Sequence, residues 1–123
     1  GEEMKMVNET RKIFGEPEMR ITATTVRVPV YYCHSEAVVV ETDEPQDIGL
    51  VLDALERAPG VVLERRQECY HTAAECAGKD GVYVSRVRRD LAFENGISMW
   101  VVSDNLRKGA ATNAVQIAEL IAG

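Results

Sequence analysis

Five short apolar runs, each typical of a β-strand, constrain this chain more than any other feature. The first two are rich in valine and threonine. The fifth is almost wholly apolar, which predicts a central strand covered on both faces. We predict strands over residues 19–30, 34–42, 61–64, 82–90 and 97–102. Strands therefore outnumber helices, and the fold must contain a sheet.

The clearest helix lies between Asp43 and Gly60. Its apolar residues recur at helical spacing and fall on one face, namely Ile48, Val51, Leu52 and Leu55. Pro45 lies near the first turn, and Pro59 followed by Gly60 ends the helix. This pattern predicts a structural helix with one buried face.

Helices are also predicted near the two ends of the sequence, over residues 2–14 and 104–122, the second with Asp104 as its N-cap. The second helix is apolar around much of its circumference, which is usual for a helix buried on more than one side. A chain of 123 residues has little to cover both sides, so this helix is expected to need a partner. Residues 65–81 show little periodicity and are predicted to form a long loop.

These elements predict an α+β fold with a mixed, mainly antiparallel β-sheet and helices on one face. The length of 123 residues suits a single domain with its own core. The uncovered face of a valine-rich sheet needs a partner, and a second copy of the chain is the natural candidate. A homodimer is therefore expected.

Composition and charge limit the class of function. Apolar residues make up 46% of the chain and charged residues 28%, as in an ordinary globular domain. The formal net charge of −6 argues against broad binding to nucleic acid or to an anionic membrane surface. No apolar run approaches the roughly 18–20 residues of a membrane helix, and the first residues lack the pattern of a signal peptide. We therefore expect a cytoplasmic protein, in which the three cysteines are thiols.

Residues 27–41, RVPVYYCHSEAVVVE, carry two polar side chains, Arg27 and His34, in a strand-like setting. On one straight strand these two side chains would point to opposite faces. Pro29 has no N–H to give to a ladder and could supply a bend between them. We predict that residues 29–33 leave regular strand geometry and turn both side chains to one pocket, where the guanidinium would hold a carboxylate and the imidazole would move a proton. The alternative is that both are accidents of packing.

Two cysteine and histidine patterns carry weaker hypotheses. Cys69, His71 and Cys76 suggest zinc, but there is no Cys-x-x-Cys pair and no obvious fourth ligand, so no metal site is predicted. Cys33 and His34 are adjacent strand residues that point to opposite faces, and they are poorly placed to share a proton. The sequence contains no glycine-rich phosphate loop or dinucleotide fingerprint.

Charged residues on the first and last helices leave two interpretations open. Glu2 and Lys5 share a face of the first helix, and they form either an exposed ion pair or part of a site. Arg107 and Lys108 lie in the first turn of the last helix, where the helix dipole disfavours cations. They are either solvated surface charges or ligands of an anion or a partner.

Four blocks of sequence, in their order and spacing, resemble the C-terminal part of aspartate-β-semialdehyde dehydrogenase. The blocks are EEMKMVNETRKI, TVRVPVYYCHSEAVVVET, VYVSRVRRD and MWVVSDNLRKGAATNAVQIAE. The resemblance covers nearly the whole chain, and the Arg-Val-Pro-Val…His-Ser and Asp-Asn-Leu-Arg-Lys-Gly-Ala-Ala segments are its most specific parts. It implies the NADPH-dependent reduction of β-aspartyl phosphate to aspartate semialdehyde, or the reverse, through a thioacyl-enzyme, on the route to lysine, threonine and methionine.

The resemblance also implies roles for five residues. By that likeness, His34 is the general acid/base and Arg27 holds the carboxylate of the substrate. Glu2 resembles the residue that meets the substrate amino group, and Lys5 the residue that binds its phosphate. Asn105 resembles a residue near the nicotinamide of NADP.

The same resemblance divides the chain into two parts. Residues 1–103 would form the substrate-binding and dimerisation domain, and residues 104–123 a helix at the interface with an N-terminal dinucleotide-binding domain. That domain's glycine-rich loop and nucleophilic cysteine do not occur within the 123 residues, so the chain alone is expected to be inactive. Two alternatives stay open. One is a stand-alone dimerisation module without catalysis. The other is part of a related acyl-phosphate reductase, such as N-acetylglutamyl-phosphate reductase, against which Glu2 argues because an acetylated amine has no charge.

Overall fold

The computed structural model describes all residues from 1 to 123 and contains four α-helices, one π-helical turn and four strands. None of the helices is long and apolar enough to cross a membrane. In chain order the elements are α1 (Glu2–Phe14), β1 (His34–Glu41), α2 (Ile48–Arg57), β2 (Val61–Leu63), α3 (Ala73–Cys76), β3 (Val82–Arg89), β4 (Gly96–Ser103), the π-helical turn (Arg107–Ala111) and α4 (Thr112–Ala122).

The four strands form one sheet in the order β1-β4-β3-β2. Strand β4 pairs antiparallel with both β1 and β3, whereas β2 pairs parallel with β3. The sheet is therefore mixed and mainly antiparallel, and the predicted α+β class is confirmed. The most apolar run, predicted to be central, is β4, which lies between two other strands.

Helix α2 covers one face of the sheet. Asp47 caps its first turn, because the carboxylate accepts a hydrogen bond from the backbone N–H of Leu50 at 3.1 Å. The predicted apolar face then packs on a buried cluster in β3 and β4, formed by Val84, Val87 and Ile97. The hydrophobic effect, through removal of these apolar side chains from water, is the main contribution that holds α2 on the sheet.

A bulge in β3 sets the direction of its side chains. The register with β4 shifts between Ser85 and Arg88, and Arg86 at that point has φ 56°. The extra residue reverses the alternation of faces, so that Val84 and Val87 both pack in the cluster under α2. Without the bulge, these two residues would point to opposite faces.

The opposite face is covered in part by a short helix within the region predicted to be a loop. Helix α3 begins at a capping box, in which the side chain of Thr72 accepts from the N–H of Glu75 and the Glu75 carboxylate accepts from the N–H of Thr72. It places Cys76 against Val102 and Cys33, and the three are buried together. The chain entering β1 is thereby packed beside the end of β4.

The prediction of a strand over residues 19–30 is wrong. These residues form no ladder and most of them are exposed. The backbone N–H of Thr25 donates to the Glu3 carboxylate instead of to a strand. A strand is stable only beside a neighbour that takes its backbone hydrogen bonds, and here β1 pairs with β4 alone.

The prediction of one continuous last helix beginning at residue 104 also needs correction. The chain first makes a π-helical turn and becomes α-helical only at Thr112. Asp104 does accept from the N–H of Leu106 at 2.9 Å, but its other oxygen accepts from the N–H of Gly78 at 2.8 Å. This tie to a distant loop fixes Asp104 outside the helix.

Candidate functional site

His34 is the first residue of β1 and pairs with Ser103, the last residue of β4. Its side chain is exposed and makes no hydrogen bond within the chain. Because β1 is an edge strand, the imidazole lies at a corner of the sheet, open to solvent. The ladder therefore fixes the backbone of His34 and leaves both ring nitrogens free for a ligand.

Asn105 lies two residues beyond the partner of His34. Its side-chain oxygen Oδ1 accepts a hydrogen bond from the backbone N–H of Cys33 at 3.0 Å. Cys33 has φ 73°, which is the left-handed region and is rare for a residue with a side chain. The structure thus brings together His34 and Asn105, which the sequence placed in one site, and links them through the backbone of Cys33.

The bend predicted between Arg27 and His34 is confirmed. Pro29, Tyr31 and Tyr32 lie in bends, and regular strand geometry begins only after Cys33. Arg27 is exposed and forms no ion pair or hydrogen bond within the chain. Its guanidinium is therefore free to hold a carboxylate from outside. No hydrogen bond or ion pair joins Arg27 to His34, and a shared pocket stays a prediction.

The first turn of α1 is tied to the segment that carries Arg27. A carboxylate oxygen of Glu3 accepts from the N–H of Thr25 at 2.8 Å. Glu2 and Lys5 are both exposed, and Lys5 lies 3.8 Å from Glu9 instead of pairing with Glu2. The three candidate substrate-binding side chains therefore lie on α1 and on the segment after Thr25, whereas the candidate general acid/base, His34, lies at the corner of the sheet.

Asp104 is the most buried charged residue near this site. The hydrogen bonds from the N–H groups of Gly78 and Leu106 lower the pKa of its carboxyl. Burial and the negative charge of Asp104 raise the pKa of the Cys33 thiol. Burial likewise raises the pKa of the Cys76 thiol. Neither thiol is activated as a nucleophile.

Arg107 has an anionic partner within the chain. Its guanidinium donates two hydrogen bonds to Asp80, at 2.7 and 2.9 Å, and the hydroxyl of Thr112 donates a third at 2.8 Å. These bonds lower the pKa of Asp80 to about 2. Sequence reasoning left open a surface charge or an anion ligand for Arg107 and missed Asp80. The only signal in the sequence was that Arg107 lies in the first turn of a helix. The helix dipole disfavours a cation there and favours a carboxylate.

No group of three or more His, Cys, Asp or Glu side chains in the chain is arranged to hold a metal ion. Among the residues of the zinc hypothesis, Cys76 lies in the core and the His71 ring packs edge-on against Tyr83, with 4.9 Å between ring centroids. The backbone carbonyl of His71 accepts from the indole N–H of Trp100 at 2.9 Å. These contacts give Cys76 and His71 structural roles.

The family follows from a comparison with known protein domains. Residues 1–108 match the model of the semialdehyde dehydrogenase dimerisation domain. The chain belongs to this semialdehyde dehydrogenase family. The matched range includes His34, Arg27 and Asn105, and the resemblance seen in the sequence is confirmed.

Curated relatives in this family are aspartate-semialdehyde dehydrogenases. The chain is 54% identical over 120 residues to aspartate-semialdehyde dehydrogenase 2 of Vibrio cholerae and 54% identical over 121 residues to the enzyme of Shewanella violacea. In both comparisons 98% of this chain is covered, but only 36% of the relative. The chain thus spans little more than a third of the length of these relatives and corresponds to their C-terminal part.

Solved structures of semialdehyde dehydrogenases have the same fold. The chain matches the crystal structure of aspartate semialdehyde dehydrogenase II from Vibrio cholerae with a TM-score of 0.94, over 98% of this chain and 36% of that one. A second structure of the Vibrio enzyme, described as complexed with ASA, matches equally well. The chain therefore has the fold of the corresponding part of these enzymes.

Proposed function

We propose that this chain is the substrate-binding and dimerisation part of an aspartate-semialdehyde dehydrogenase. The whole enzyme would carry out the NADPH-dependent reductive dephosphorylation of β-aspartyl phosphate, or the reverse reaction. The observation that carries the proposal is the 54% identity over 98% of the chain to an aspartate-semialdehyde dehydrogenase. The exposed and unpaired side chains of Arg27 and His34 support it, because a site for a charged substrate needs polar groups that the fold has not used.

Each proposed role uses the chemistry of one exposed side chain. Arg27 grips the carboxylate of the substrate with its planar fork of donors. Lys5 binds the phosphate as a compact cation, and Glu2 meets the amino group. His34 donates or accepts a proton at the reacting carbon's oxygen or at the phosphate leaving group, which an imidazole can do near neutral pH.

The cofactor and the nucleophile belong mainly to the part of the enzyme outside these 123 residues. NADP(H), when bound, supplies the hydride for the reduction or accepts it in reverse. Within this chain Asn105 fits a nicotinamide neighbour, because its side-chain NH₂ makes no hydrogen bond within the chain while its oxygen is engaged by Cys33. The buried thiols Cys33 and Cys76 do not fit the role of nucleophile.

Two protein partners are part of the proposal. One is a second copy of the chain, bound by residues 1–103 as a dimerisation domain. The other is an N-terminal dinucleotide-binding domain, which would cover residues 104–123. Helix α4 supports the second partner, since it exposes a large apolar surface formed by Val115, Ile117, Leu120 and Ile121.

A chimera tests the proposed function. This chain would replace the corresponding C-terminal part of the Vibrio cholerae enzyme, and NADPH formation from aspartate semialdehyde, phosphate and NADP would be followed by absorbance. We expect turnover by the chimera and none by the 123-residue chain alone. In the chimera, His34→Ala should lower kcat by about 10²–10⁴-fold, as loss of a general acid/base does. Arg27→Lys should act mainly on the KM of aspartate semialdehyde, because the bidentate contact is lost.

A matched control keeps this result interpretable. Arg20→Lys changes an exposed arginine of the same segment that pairs only with Glu41, and it should leave both constants near wild type. A folded, dimeric chimera without turnover would refute the dehydrogenase proposal and favour a non-catalytic dimerisation module. Turnover by the isolated chain would refute the assignment of the nucleophile and cofactor site to another domain.

A further inference from the structure

The chain between Thr25 and His34 has a single hydrogen bond to the rest of the molecule. That bond runs from the N–H of Cys33 to Oδ1 of Asn105, at 3.0 Å. The other backbone hydrogen bond within the stretch, from the N–H of Val30 to the carbonyl of Val28, is local. The side chains of Tyr31 and Tyr32 are exposed and add little anchoring. The position of this stretch therefore depends on the backbone conformation and the hydrogen bond of Cys33.

Cys33 acts as the hinge of the stretch. On its C-terminal side the chain is held by the β1–β4 ladder, which begins with the pair His34 and Ser103. On its N-terminal side lies the exposed stretch that carries Arg27. Rotation about φ of Cys33 thus moves Arg27 relative to His34. The observed φ of 73° is disfavoured for a residue with a Cβ, so the surroundings must hold it.

The residue that holds the hinge is itself held firmly. Asp104, next to Asn105, is buried and accepts hydrogen bonds from the N–H groups of Gly78 and Leu106. Asn105 therefore presents its oxygen from a fixed point at the end of β4. The Cys33 side chain packs beside Cys76 and Val102 and adds a second, apolar anchor to the same hinge.

We propose that Asn105 is a positioning residue, which locks the Cys33 hinge through the Cys33 N–H and thereby sets the placement of Arg27 relative to His34. The catalytic consequence rests on the proposed function: the distance between the gripped carboxylate and the proton-transferring imidazole would be fixed by Asn105. Misplacement of reacting groups by about 1 Å can lower turnover by about 10²-fold. The unused NH₂ of Asn105 stays available for the nicotinamide, so one amide would serve both sides of the site.

Amide hydrogen exchange on the 123-residue chain tests the hinge directly. In Asn105→Leu the Cys33 amide should exchange at least about tenfold faster than in the wild type, because its acceptor is gone. Asn105→Asp retains an acceptor oxygen and should keep most of the protection. Asn113→Leu, an exposed asparagine on α4, is the matched control and should change nothing at Cys33. Protected amides in β3 and β4 would show that each variant is folded. If Asn105→Leu does not fold, Asn105→Ala takes its place.

Kinetics of the chimera separate positioning from cofactor binding. Asn105→Leu should lower kcat by about 10²-fold, and Asn105→Asp should recover part of this loss. Wild-type protection of Cys33 in Asn105→Leu would overturn the hinge proposal. So would an increase only in the KM of NADP with unchanged kcat, which would leave Asn105 as a cofactor contact alone. If the chimera has no activity, the proposed function fails, and the exchange result still decides the hinge.

Discussion

Two buried serines on neighbouring strands have opposite surroundings. The hydroxyl of Ser98 in β4 donates to the carboxylate of Asp90. The hydroxyl of Ser85 in β3 is fully buried and has no hydrogen-bond partner in the chain. A buried polar group without a partner costs about 1–3 kcal/mol, whereas a hydrogen bond to a charged group contributes about 1.5–3 kcal/mol. The same substitution should therefore have opposite effects at the two sites.

We expect Ser85→Ala to raise the free energy of unfolding by about 1 kcal/mol, because it removes an unpaired hydroxyl and creates almost no cavity. Ser98→Ala should lower the free energy of unfolding by about 1.5–3 kcal/mol, because it also leaves Asp90 without this donor. Urea denaturation of the 123-residue chain measures both. Equal destabilisation by the two substitutions would show that the Ser85 hydroxyl has a stabilising partner.

At the scale of single residues, the sequence indicated candidate site residues but not the contacts that hold them. Arg27 and His34 stood out as polar residues in a strand-like run, and Pro29 predicted the bend between them. The left-handed φ of Cys33 was not predictable, and neither was the hydrogen bond of its N–H to Asn105, 72 positions away in the chain. Local patterns contain no information about such a contact.

Among the elements, the C-terminal segment is attached to the loop before β3 by one ionic cluster. Asp80 accepts hydrogen bonds from Arg107 and Thr112, and its pKa is lowered from 3.8 to about 2. A carboxylate with a lowered pKa in the folded state stabilises that state above the pKa of the unfolded chain. This stabilisation is lost as the pH falls from about 4 to about 2.

We expect Asp80→Asn to reduce the thermal stability more at pH 5 than at pH 2. At pH 5 the wild type keeps the charged contact with Arg107, whereas at pH 2 about half of the Asp80 carboxyl groups are protonated in the folded wild type. Thermal unfolding of both proteins between pH 2 and 5 measures the difference in Tm. A difference that stays constant over this range would contradict a stabilising charge on Asp80.

Four of the five predicted strands and all three helical regions exist in the structure. The exceptions have physical reasons. Residues 19–30 have strand propensity, but no neighbouring strand in the described chain accepts their hydrogen bonds. Asp104, which precedes the π-helical turn, accepts a hydrogen bond from Gly78, a residue distant in the sequence. Propensity alone cannot identify contacts between residues distant in sequence, or their absence.

On the scale of the whole molecule, much apolar surface is left uncovered. Leu120 and Ile121 in α4 are 85% and 82% exposed, and valines of the 19–30 segment are also exposed. Exposed apolar surface of this extent is unusual for a protein that acts alone. Because α4 is apolar around much of its circumference, the sequence predicted that this helix would need a partner. It could not predict which face of the fold the partner would occupy.

Replacement of Leu120 and Ile121 by glutamine should leave the 123-residue chain within about 0.5 kcal/mol of the wild type, because both side chains are exposed there. In the chimera the same pair should lower the Tm and the activity, because the glutamines would lie at the interface with the nucleotide-binding part. Leu50→Gln, an exposed leucine on α2, is the matched control and should behave alike in both proteins. An unchanged chimera would exclude α4 from that interface.

The hydrogen bond between Cys33 and Asn105 is a contact of long sequence separation, which bears on the order of folding. It joins residues 72 positions apart, whereas β3 and β4 are linked by a short turn. The entropy of closing a loop rises with its length, so contacts between nearby segments form before contacts between distant ones. The β3–β4 hairpin can therefore serve as the template onto which β1 docks. We therefore expect His34 and Cys33 to reach their final positions only after this hairpin has formed.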